Sequence, residues 1–208
     1  MTDTGSATRD AFSSEFETLA GWSAAGAALA GIAYAVAFVA LANRYPVATG
    51  AALTLAPLLA TPPLLAFYGR VRSVDAGVAL LALVLGLGGS LGAFLHGGFD
   101  LANALHDPGP IGNFPSYADP RGQLTFGASG LALVFFAWLA GRTPGLPGWV
   151  QPIGWVLGVV LVVTWLGRLI VLDATSPFVL GPALVAGVLS PLFYLGLSRW
   201  LLTGKVPG

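Results

Sequence analysis

From Trp22 onward the chain alternates between apolar runs of about 20 residues and short polar or Pro/Gly-rich joints. At a rise of about 1.5 Å per residue, about 20 helical residues cross a hydrocarbon layer of about 30 Å. Six such runs are predicted, at 22–43, 48–69, 76–99, 123–141, 150–172 and 178–202. In lipid a spanning segment bonds its own backbone amides, and the alternating polarity of a barrel strand is missing from these runs. The pattern therefore predicts an all-α integral membrane protein, a six-transmembrane-helix bundle forming a single domain over 22–203. Joints such as Arg44-Tyr45-Pro46 and the Pro/Gly-rich 143–148 segment make neighbouring helices antiparallel hairpins.

Residues 1–21 are polar and acidic, with Asp3, Asp10, Glu15 and Glu17 against Arg9. A secretory leader carries positive charge before a short apolar core, so this segment is expected to be a cytoplasmic N-terminal segment instead. Phe12, Phe16 and Leu19 are spaced to make a short interfacial amphipathic helix, and a disordered tail is the competing reading. Six spans place both termini, the 2–3 loop and the 4–5 loop on one side, with Arg9, Arg70, Arg72, Arg142, Arg199 and Lys205. The opposite side has Arg44 and Arg121, so the positive-inside rule predicts cytoplasmic N and C termini in the cell membrane.

Composition narrows the chemistry. Charged residues make up 9% of the chain, far below the roughly 25% of soluble domains, and 9 basic residues balance 9 acidic ones. Such a chain offers no basic field for nucleic acid. Without cysteine, thiolate metal sites, iron–sulfur clusters and cysteine nucleophiles are excluded. The sole lysine, Lys205, is terminal, which argues against a retinal pump.

The third run is the one that becomes polar before it meets a helix breaker. At 100° per residue His96, Asp100, Asn103 and Asp107 fall within about 60° of arc, and Gly89 and Gly92 extend that stripe as bare backbone. Arg168, in the fifth run, is expected at the depth of Asp100, and an unpaired charge in a span is costly, so an Asp100–Arg168 pair is expected. The competing reading has Arg168 snorkelling to the headgroups and Asp100 solvating a helix end. His96 reads as a proton relay oriented by Asp100, as a metal ligand helped by Asp100, Asp107 or Asp119, or as a hydrogen-bonding partner of a neighbouring helix. His96 and His106 lie on different faces of one helix and cannot clasp a haem iron, so no cofactor is expected. The 107–122 loop, with Ile111, Phe114 and Tyr117 among Pro, Gly and Asp, is expected to fold as a lid over the outer mouth, or else to join the interfacial aromatic belt.

Charges inside membrane segments mark pathways and sites by default. The expected function is a polar outer-leaflet site, built from His96, Asp100, Asn103, Asp107 and Arg168, that binds or passes a small polar solute, ion or proton. A second reading is an accessory subunit, packed on a membrane protein partner or a homo-oligomer through glycine-rich faces that include Gly154, Gly158 and Gly167. A membrane-embedded hydrolase or metal-dependent enzyme ranks third, because no nucleophile can be named beside His96 and Asp100.

Overall fold

Ser13 starts the first helix by accepting a hydrogen bond from the Phe16 amide at 3.2 Å, and Glu15 and Glu17 place negative charge on its first turn. In the computed structural model, which describes residues 12–41, 43–106, 112, 114, 115, 117–171 and 176–203, no break follows before the apolar run. Residues 14–21 are thus the opening turns of the first long helix, not a separate interfacial element, because nothing between Ser14 and Trp22 breaks a helix. Six helices are long and apolar enough to cross a membrane: α1 (Ser14–Ala40), α2 (Pro46–Val71), α3 (Ala76–Leu105), α4 (Pro120–Ala140), α5 (Val150–Ile170) and α6 (Pro177–Thr203). Among the described residues the architecture is all-helical, with no strand.

Local chemistry sets the helix limits. Asp75 caps α3 through the Val78 amide at 2.9 Å, and the helix then runs 30 residues to Leu105, beyond the expected end at 99, because no breaker precedes Pro108. At about 1.5 Å per residue that is about 45 Å, so α3 exceeds a hydrocarbon layer by several turns. Helix α2 continues through Pro57, Pro62 and Pro63. Pro62 cannot donate to the Leu58 carbonyl, and the Thr61 hydroxyl donates to that oxygen instead, at 2.8 Å. Two π-helical turns occur among the described residues, Val36–Ala40 ending α1 and Leu124–Ala128 within α4.

The helices pack in chain order, each on its sequence neighbour, and α6 closes the ring against α1. Their outward faces are apolar. Ile170 and Phe178 are each 77% exposed, an arrangement suited to lipid and opposite to that of a water-soluble bundle. Inside, the large side chains collect at the end that holds Ser14 and Thr203. Leu64, Phe67 and Val71 of α2 meet Phe136 and Leu139 of α4, Leu157 of α5 and Phe193, Leu197 and Trp200 of α6. The Phe67 and Phe136 rings sit edge to face at 5.1 Å. At the same end Arg70 donates to Glu17 and lies over the Trp200 ring, 5.6 Å from its centre. Because this ion pair is only partly buried, Glu17→Gln is expected to cost about 0.5–1 kcal/mol in thermal unfolding in detergent. A loss above about 2 kcal/mol would show that it behaves as a desolvated pair.

The opposite half is built from small residues that bring backbones together. A Cβ on Gly97 of α3 would meet Leu53 C of α2 at 2.6 Å, and one on Gly50 of α2 would meet Leu101 N of α3 at 2.7 Å. Gly89 and Gly92 lie against Ser129 N and the Arg121 carbonyl of α4, each 2.8 Å from the position of a Cβ. Close approaches also occur beside the large-residue core, where Gly154 and Gly158 flank Leu157 and face Ala137 and Val134 of α4, and Gly167 faces Phe178 of α6. These five glycines of the sequence analysis, Gly89, Gly92, Gly154, Gly158 and Gly167, are therefore used inside the chain.

Candidate functional site

The α3 glycines decide what His96 meets. With α4 running antiparallel over Gly89 and then Gly92, its first turn arrives at His96. Asp119 and Pro120 open that turn: Asp119 accepts from the Arg121 amide at 3.0 Å, and proline takes the first helical position, where no amide is needed. The Asp119 side chain is only 3% exposed, and Arg121 grips it with both ends of its guanidinium, Nε to Oδ1 at 2.8 Å and Nη2 to Oδ2 at 3.0 Å. Burial pushes the Asp119 carboxyl up, but the hydrogen bonds and charge of Arg121 outweigh it and hold the group below the usual carboxylate range. The Arg121 guanidinium also covers Phe99, 4.3 Å from the ring centre.

His96 lies between two carboxylates. Its Nε2 is 3.6 Å from Asp100 Oδ2, one turn along α3, and its Nδ1 is 3.9 Å from Asp119 Oδ2. Both separations lie beyond a direct hydrogen bond and within reach of a small rearrangement or one water. Asp100 accepts no hydrogen bond among the described residues and is 39% exposed. It looks into a cleft of about 370 Å³ lined by Phe38, Asn43, Pro46, Thr49, Gly50, Asp100, Asn103 and Ala104. The cleft lies between the end of α1, the start of α2 and the end of α3, next to the π turn Val36–Ala40. Asn43, at φ 55°, holds the α1–α2 joint in the left-handed region that asparagine tolerates best after glycine.

The expected site residues thus divide. His96, Asp100 and Asn103 are together, as the stripe on α3 required. Arg168 reaches the same level from α5 but does not pair with Asp100, and no contact within 4 Å joins them among the described residues. Its guanidinium lies over Phe126, 5.0 Å from the ring centre, and a Cβ on Gly122 would meet its Nη2 at 2.7 Å. The expected pair fails because α4 stands between α3 and α5, so that Arg168 approaches Asp119's side of His96. Asp107 lies outside the described residues, as do residues 108–111, 113 and 116 of the expected lid. At its described end, Phe114 and Tyr117 are 62% and 43% exposed, and residues 120–122 already belong to α4. Gln123 ties this stretch to the helix by donating to the Tyr117 carbonyl at 2.9 Å.

Sequence reasoning missed Arg121 as the partner of Asp119, although Asp-Pro at 119–120 is a legible helix start. It also missed Tyr34 and Phe38 of α1. Their rings stack at 5.5 Å, and Tyr34 lies within electrostatic reach of both Asp100 and Arg168. No known protein family, curated protein or solved structure matches the chain.

Proposed function

We propose that this chain is a multipass protein of the cell membrane, with both termini cytoplasmic, that binds or passes a small polar solute, ion or proton from the outer side. The reading is carried by one observation: the Asp100 carboxylate faces an open cleft, accepts no hydrogen bond among the described residues and has His96 at 3.6 Å. An ionisable pair at the mouth of a helical bundle is suited to hold a donor group or to exchange a proton. The positive-inside rule, applied to the basic residues, supports an orientation with the Asp100 end outward. The packing of the large apolar side chains around Phe67 and Phe136, at the end of the bundle away from Asp100, supports exchange with the side that Asp100 faces.

Native mass spectrometry of the chain released from its own membrane in mild detergent tests the reading. A small molecule or ion is expected to accompany the wild type and to be lost from Asp100→Asn. Thermal stability of the variant should stay within about 1 kcal/mol, because among the described residues Asp100 accepts no hydrogen bond and its contact with His96, at 3.6 Å, is partly exposed. A ligand-free preparation bound to a second polypeptide would overturn the proposal in favour of an accessory subunit.

A further inference from the structure

The chemistry of the cleft narrows what it accepts. Among the described residues Asp100 is the one carboxylate that lines it, and no described arginine, lysine or histidine does. Arg121 and Arg168 are turned to Asp119, Phe99 and Phe126, on the other side of His96. Asp100 thus supplies the charged group of the described lining. An anion would meet Asp100 with no described lining cation to compensate it. A divalent metal commonly takes six or more oxygen ligands including several carboxylates, and the described residues of this wall supply one carboxylate.

Size and apolar lining separate the remaining cations. A volume of about 370 Å³ has room for roughly a dozen waters at ~30 Å³ each, far more than one dehydrated monovalent ion fills. Beside the carboxylate the lining has apolar groups, the Phe38 ring, Pro46 and Ala104, the last one turn after Asp100 on α3. Phe38 is stacked on Tyr34, which fixes its face, and aromatic faces attract alkylammonium groups. Asn43 and Asn103 add amide groups at the rim. Resting on the reading of this cleft as a binding site, we infer that its ligand is an organic monocation, an amine whose ammonium group pairs with Asp100 and whose carbon skeleton lies on Phe38, Pro46 and Ala104.

Calorimetric titration of the full chain in lipid nanodiscs with n-butylammonium, n-butanol, butyrate and sodium, each as chloride or sodium salt where charged, tests this inference. Butylammonium is expected to bind saturably, tenfold or more weakly to Asp100→Asn, the change expected for one lost bond to a charged group. Phe38→Leu, on a half-exposed side chain that the fold does not need, should weaken it about threefold. Equal binding of butanol or butyrate would overturn the inference, since charge would then not be read. Sodium binding that depends on Asp100, with butylammonium inert, would also overturn it while leaving the polar-site reading in place. No Asp100-dependent binding of any probe would overturn the inference too, and the species that accompanies the chain from its membrane then decides the broader reading separately.

Discussion

Replacing Asp119 with alanine is expected to cost about 3–5 kcal/mol of stability in detergent, the range for breaking a buried ion pair by removing one partner. The Asp119 side chain is 3% exposed and Arg121 12%, so the guanidinium left behind could not regain water without moving α4. The lost helix cap adds about 1 kcal/mol within that range. Asp119→Asn keeps an oxygen for the Arg121 amide and should lose less. The pH dependence has a definite sign. Because the folded carboxyl is held below its unfolded value of about 3.9, its contribution is fully present above that pH and disappears as pH falls through the folded value. Unfolding followed from neutral to acid pH should therefore show wild type losing stability below about pH 4, with the Asp119→Ala curve flatter there. A variant within 1 kcal/mol of wild type at neutral pH would mean that the Asp119–Arg121 pair does not hold the start of α4.

The second large effect separates two adjacent glycines. Gly97→Ala is expected to lose about 2–3 kcal/mol, the upper part of the overpacking range, because the added Cβ would press on α2 backbone, 2.6 Å from Leu53 C and closer still to Thr54 N. Backbone cannot rotate out of the way as a side-chain tip can. At Gly98 a Cβ meets nothing within 4 Å, and alanine should stabilise the helix by up to about 1 kcal/mol. Thermal unfolding of the two variants side by side checks the pair. Similar outcomes would show that α2 and α3 do not meet at Gly97. Because Thr49 and Gly50 line the cleft with Asp100, the Gly97 variant should also widen it and weaken whatever it holds.

The bundle was legible in the sequence because lipid permits so little else: six apolar runs of spanning length leave helices as the economical solution. The stripe on α3 was legible for the same local reason, since spacing alone puts His96, Asp100 and Asn103 on one face. What lay across from the stripe was not. The Asp100–Arg168 pairing followed from equal depth and opposite charge, but depth is one coordinate of three, and the rotation of α5 about its axis is set by Trp165 seated on Gly127. Asp119 was read as a loop residue because a four-residue helical turn, Pro120–Gln123, with a π turn after it carries little periodic signal. Gly97 was invisible as a contact because a glycine in an apolar run looks the same whether a neighbour's backbone touches it or not.

Packing in chain order has a consequence for how the molecule is made. Every helix from α2 to α6 finds its first partner in the segment synthesised just before it, so hairpins can dock while the ribosome is still at work. The main seam between helices far apart in the chain is that between α1 and α6, where Leu201 and Leu202 fill the space beside Gly21. Until α6 docks there, Gly21 of α1 lies uncovered, a gap that the five earlier helices leave open.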